Sequence, residues 1–114
     1  MEYPEKTCDV SRLVTDKRMV RAVLCGAKTQ QRRNGVYAYP GEQFELEHTR
    51  FELSDLRRQR LGDMTEEDAV SEGYTSLDAY KDVILSMHKG MQWDEDALVW
   101  LHEFRKVGDD QGTV

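Results

Sequence analysis

The sequence predicts an α+β fold, with a small sheet curled around one core. Three observations carry this. Apolar residues recur at helical spacing in separate stretches, they alternate with polar ones across "QFELEHTRFEL", and "ALVWLHEF" near the end is apolar on both faces. The chain has 114 residues, enough for a single core. That core is expected over residues 10–107. The polar ends, "MEYPEKTCD" (1–9) and "GDDQGTV" (108–114), are expected to be flexible.

The elements follow in order. "VSRLV" (10–14) predicts a short strand. Asp16 is placed to cap a helix over "KRMVRAVLCG", in which Met19, Val20, Val23 and Leu24 share a face and Gly26 supplies the left-handed stop. Asn34-Gly35 marks a turn, and "VYAY" after it predicts a strand. Phe44 and Leu46, then Phe51 and Leu53, alternate as a hairpin that turns near His48-Thr49. Thr65 with Asp68 forms a capping box for a helix stopped at Gly73. Thr75 or Ser76 caps another helix, with Leu77, Tyr80, Ile84 and Met87 on one face and Gly90 at its end. "ALVWLHEF" (97–104), two-sided and apolar, predicts a central strand.

Net charge is -6, which argues against uniform attraction to nucleic acid or anionic lipid; such a contact would need a local basic patch. Cys8 and Cys25 have no CxxC spacing and no neighbouring histidine in a zinc-like pattern. The apolar helical context of Cys25 predicts a buried free thiol. No stretch resembles a signal peptide or a membrane span, so a cytoplasmic protein is expected, with no membrane partner. No cofactor is implied. The dispersed histidines read as a turn residue (His48), a helix-end cation (His88) and a core residue (His102), with no metal site expected. Neither a Gly-rich phosphate loop nor a GxSxG elbow occurs.

Chemistry concentrates in "GAKTQQRR". Lys28, Arg32 and Arg33 suit phosphate, and Gln30 and Gln31 can donate to and accept from a base edge. They lie between a helix stop and a turn, where loops carry sites. A second basic run, Arg57-Arg58-Gln59-Arg60, either flanks the same groove or is a solvated strand end. Glu72 sits at the negative end of a helix, where a carboxylate is unfavourable. Either it is an exposed, solvent-screened acid, or it has a cationic partner, or it holds its proton more tightly, as a general base near neutrality would. Trp93, between a loop and an acidic turn, is a candidate stacking platform, with core packing as the alternative. Asp63, Glu66, Glu67 and Asp68 form an acidic face that the first turn of a helix already accounts for.

Through Gly26, Lys28 and Arg33, "GAKTQQRR" resembles the G-x-K-x-x-x-x-R signature of the ASCH domain, a branch of the PUA-like superfamily. "YPGEQFEL" resembles that family's following strand, "RLGDMTEEDAVSEGYTSLDAYKDVI" its pair of helices, and "ALVWLHEF" its last strand. The likeness spans about residues 10–107. It implies a small PUA-like β-barrel with flanking helices and a signature-lined cleft for RNA or a nucleotide, with Gly26, Lys28, Gln31, Arg32 and Arg33 as binding residues. Some small bacterial members look like amidohydrolases that deacetylate N4-acetylcytidine, using a lysine, a threonine three residues on and a glutamate before the second helix.

By position, the lysine falls on Lys28 and the glutamate on Glu72, the two residues the resemblance implies as catalytic. The threonine falls on Gln31. An amide is neither nucleophile nor proton shuttle, so this departure moves the expectation from catalysis toward recognition. Thr29 is displaced by two residues, at roughly 3.3 Å each along a strand. If Lys28 faces Glu72, it neutralises the helix-end penalty, and Arg33 then either ties the loop to the barrel or holds a phosphate. The expected function is binding of RNA or a modified nucleotide, with deacylation of an N-acyl pyrimidine nucleoside as the alternative. Ribonuclease chemistry in the same cleft, with Glu72 as base, is a second alternative.

Overall fold

The computed structural model describes residues 3–88 and 90–109. Helix α1 spans Lys17–Leu24, strand β1 Gln30–Arg33, β2 Gln43–Leu46, β3 Thr49–Arg60, helix α2 Glu66–Ser71, α3 Leu77–Met87 and β4 Leu98–Asp109. Local chemistry accounts for the helix ends. Asp16 Oδ1 accepts from Arg18 N at 2.9 Å and Met19 N at 3.3 Å. Thr65 and Asp68 exchange side-chain and backbone bonds as a capping box, and Ser76 Oγ accepts from Ala79 N at 3.0 Å. Glu66 of α2 also accepts from Leu77 N at 2.8 Å, locking the two helices end to end.

All four strands are antiparallel in the order β1-β4-β3-β2, curled into a half-barrel. β4 is central, and adjacent residues Leu101 and His102 on its opposite faces are both fully buried. The curl has a visible cause in β3. Leu53 pairs with Phe104 and Asp55 with Glu103, so Ser54 is an extra residue. This bulge keeps Leu53 and Leu56 in one core although their spacing is odd. Phe44, Phe51 and Phe104 pack there with ring centroids 5.7–6.4 Å apart. A smaller cluster of Met64, Ala69 and Tyr80 joins α2 to α3. Among the described residues, no helix is long and apolar enough to cross a membrane.

Several expectations are corrected. "VSRLV" is a 3-10 turn over Val10–Arg12, capped by Asp9, and Leu13 and Val14 enter the core without joining the sheet. "VYAY" is extended but unpaired with any strand. Its N–H groups go elsewhere: Tyr37 N donates to His102 Nε2 at 3.1 Å and Tyr39 N to Glu42 Oε2 at 2.6 Å. The hairpin turns one residue early, on Glu47 and His48 with φ of 47° and 69°. Cys25 is exposed, because it is the last residue of the α1 turn rather than part of its apolar face. Met87 is 66% exposed, past the point where α3 leaves its packing partners.

Near the N-terminus, Thr7 N donates to Val36 O at 2.7 Å and Tyr39 Oη to Pro4 O at 2.8 Å. A Cβ on Gly35 would stand 2.1 Å from Thr7 Oγ1, so the close approach requires glycine. The expected loose residues 1–2 and 110–114 lie outside the described residues.

His102 is the core histidine the sequence suggested. Its Nε2 accepts from Tyr37 N, so Nδ1 carries the proton toward Gln31 O and Trp100 O at 3.3 and 3.2 Å. Burial lowers its pKa from 6.5 to about 4. Between those values the unfolded chain binds a proton that the folded one refuses. Its contribution is therefore complete above pH 6.5 and lost on acidification toward pH 4, by on the order of 3 kcal/mol. Urea unfolding at neutral pH and near the folded-state pKa should show a smaller acid loss in His102→Gln than in the wild type; equal losses would contradict this assignment.

Candidate ligand-binding cleft

The site begins where α1 stops. Gly26, at φ +87°, turns the chain so that Ala27 N and Lys28 N both donate to Ala22 O. β1 then starts beside the end of α2, where Thr29 N donates to Ser71 O at 2.8 Å. This delivers Lys28, only 1% exposed, to the helix terminus. Its Nζ donates to Gln30 O at 2.7 Å, Glu72 O at 2.8 Å and Glu72 Oε1 at 3.1 Å. Three N–H bonds meet three acceptors, one of them a helix-end carbonyl lacking an intrahelical donor.

The other carboxylate oxygen of Glu72 accepts from Arg32 Nη1 at 3.0 Å. Arg32 is held from all sides: Nη1 also donates to Gln30 Oε1 at 3.0 Å, Nε donates to Gln59 Oε1 at 2.8 Å, and Nη2 lies 3.5 Å from Asp68 Oδ1. Two cations and two carboxylates thus form a buried, neutral network. Burial lowers the Lys28 pKa, and the Glu72 charge opposes that shift. Burial would raise Asp68, but its hydrogen bond from Thr65 N, together with the Arg32 charge, leaves it lowered. The helix-end penalty on Glu72 is resolved by partnership, not by exposure.

Lys28, Arg32 and Glu72 line a cleft of about 840 Å³, whose lining also includes Tyr74, Tyr80 and Trp93. These three rings meet edge to face, with centroids 5.2 and 6.2 Å apart. Burial raises the pKa of Tyr74 and Tyr80, keeping both phenols protonated. The cleft therefore brings together hydrogen-bonding groups and aromatic surface.

Each residue singled out in the sequence has a definite place. Gln31 lines the cleft, with Nε2 donating to Arg32 O at 3.3 Å. Arg33 lines it too, but its Nη2 donates to Leu13 O at 2.7 Å and its guanidinium covers Tyr37 at 5.3 Å, a tie between loop and barrel. Gly26 lies outside this cleft and shapes the chain instead. Thr29 is exposed and borders a smaller pocket, so its hydroxyl does not replace the missing one.

The second basic run does not form a groove wall. Arg57 pairs with Asp55 and Glu103, Arg60 with Asp63 and Asp96, and Arg58 covers Trp100 at 4.8 Å. Sequence reading missed Tyr74, Tyr80, Gln59 and Asp68. Tyr80 looked like helix core, and Asp68 like a cap alone, which it also is.

No family model and no curated protein matches the sequence. Known structures are similar to it. An ASCH domain from Lactobacillus crispatus JV V101 has a TM-score of 0.65 at 16% identity, covering 82% of this chain and 75% of that one. A protein from Enterococcus faecalis V583, of the family named DUF984, has a TM-score of 0.58 at 16% identity, covering 97% and 80%. The chain has an ASCH-like fold.

Removing one member of a buried pair strands the other. Lys28→Met should destabilise the protein by about 3–5 kcal/mol. Lys28→Met/Glu72→Met should lose less than the sum of the single losses, by at least about 1 kcal/mol. A double-mutant cycle in urea checks this, and additive losses would contradict the pairing.

Proposed function

We propose that this cleft binds a nucleoside, free, phosphorylated or as an unpaired base of RNA. The observation that carries the reading is the meeting of the Lys28–Glu72–Arg32 network with Tyr74, Tyr80 and Trp93 in one hollow of about 840 Å³. Ring edges need fixed polar groups and ring bodies need apolar surface, and few other ligand classes need both at this scale. The likeness of "GAKTQQRR" to the ASCH signature points the same way.

The charge arrangement narrows the contact to the base. Lys28 and Arg32 already face carboxylates, and Arg57 and Arg60 are paired as well. Duplex binding would require several cations open to phosphate, on a chain whose net charge is -6.

A second reading, deacylation of N4-acetylcytidine, is supported by the 3.1 Å contact of Lys28 with Glu72 beside the cleft. Against it stand Gln31 in place of a hydroxyl residue and an ammonium whose three protons are all engaged. Nothing comparable favours RNA cleavage, because both oxygens of Glu72 accept from buried cations.

Calorimetric titration with cytidine, N4-acetylcytidine and a short single-stranded RNA should give saturable binding that beats the matching duplex. Affinity should fall less than tenfold between about 50 and 200 mM salt, against ~10³-fold or more for a protein that grips many phosphates. No binding of any nucleoside or RNA would contradict the proposal. Chromatography of the N4-acetylcytidine sample separates the readings: intact ligand supports binding, and cytidine whose release is lost in Glu72→Gln supports hydrolysis.

A further inference from the structure

Four exposed cations, Arg12, Lys17, Arg18 and Arg21, have no ion pair, side-chain hydrogen bond or ring contact among the described residues, and all lie within residues 12–21. Elsewhere on the surface, Lys6, Arg57, Arg60 and Arg105 face carboxylates, and Arg58 and Lys81 cover rings. Lys17 and Arg18 also sit in the first turn of α1, a turn that holds no acidic residue. The positive end of the helix dipole disfavours cations there. Lys17 and Arg21 stand one turn apart, where like charges repel. Nothing in the local structure accounts for this clustering.

Helix α3 repeats the pattern with the opposite sign. Asp78 and Asp82 are exposed and one turn apart, and neither has an ion pair or side-chain hydrogen bond among the described residues. They differ in this from the acidic residues grouped in the sequence, where Asp63 faces Arg60 and Asp68 faces Arg32. Further round α3, Val83 and Met87 are 36% and 66% exposed. Among the described residues, no ion pair joins α1 to α3 within the chain. Two helices laid side by side would match these pairs rung for rung, because both pairs repeat at one helical turn, about 6 Å. The Lys and Arg stems would then cover the exposed apolar side chains.

We infer that the partner is a second copy of this chain, with Lys17 and Arg21 on α1 of one protomer docked against Asp78 and Asp82 on α3 of the other. A two-fold axis makes this contact twice and closes the assembly at a dimer. A second copy accounts for both unpaired sets at once. Nucleic acid would account for α1 alone and would be repelled by α3. Exposed charge pairs set orientation and partner choice more than affinity, so the association is weak and sensitive to salt. The inference is independent of the nucleoside reading.

Sedimentation velocity of the full chain, across a concentration series at low salt, should show a monomer–dimer equilibrium. Its dissociation constant should rise about tenfold or more between about 50 and 500 mM salt. Two charge-reversed variants sharpen the test. Lys17→Glu/Arg21→Glu carries acid on both helices, and Asp78→Lys/Asp82→Lys carries base on both. All four positions are exposed, so circular dichroism should show both variants folded. Each alone should stay monomeric. Mixed in equal amounts they should form a dimer with one chain of each, because both contacts return with their signs exchanged. The salt series on the wild type stands whether or not a variant folds. A wild type that is monomeric at every concentration, a dimer indifferent to salt, or folded variants that do not associate on mixing would overturn the inference. So would a monomeric wild type whose RNA binding weakens in Lys17→Glu/Arg21→Glu, which would assign α1 to phosphate instead.

Discussion

One ammonium group holds the working end of this molecule together. Lys28 Nζ bridges a carbonyl of edge strand β1 and both the carbonyl and the carboxylate of Glu72, where α2 ends. Desolvating a lysine costs several kcal/mol, so the position tolerates the charge only because every proton finds an acceptor. The same contact satisfies the α2 terminus, seats the carboxylate and fixes where Gly73, at φ +101°, must turn the chain toward α3. Arg32 completes the arrangement, reaching back through Gln59 and Asp68 to the helix's own capping box. The start of α2 and its end are therefore tied to the same strand.

The cleft follows from this arrangement and from the open sheet. β1 is an edge strand, and among the described residues no further strand closes the half-barrel beside it. The α2–α3 unit, with its own small core of Met64, Ala69 and Tyr80, brings Tyr80 and Trp93 to the hollow that Lys28, Arg32 and Glu72 border. Charge is present there but already balanced, so selectivity must come from hydrogen-bond geometry and shape. The proposed nucleoside reading is coherent with an acidic chain in these terms, because a single base needs no field of surrounding cations.

Much of the fold was legible in residue spacing. Asp16, Thr65, Ser76 and the terminal glycines marked the helix ends, and the two-sided apolar run of β4 announced a central strand. What failed was pairing: "VSRLV" and "VYAY" have strand-like composition, but their hydrogen bonds close within a turn or go to His102 and Glu42. Composition reports burial, and both segments are indeed partly buried; it does not report a partner. For the site, the misfit of an acid at a helix end pointed to Glu72, and the signature pointed to Lys28. Arg32 was read as a donor to ligand because nothing local shows that Glu72, forty residues away, accepts from it. Tyr80 carries no signal of its own, since a helix-face tyrosine reads as core, and Tyr74 lies in the connection between α2 and α3 with no motif around it.

The most direct test of the account is a crystal structure of the protein with cytidine. The account predicts the nucleoside in the cleft beside Tyr74 and Tyr80, with the Lys28 ammonium still bonded to Gln30 and Glu72. A nucleoside seated elsewhere, or a Lys28 side chain withdrawn from Glu72 to contact the ligand itself, would contradict it.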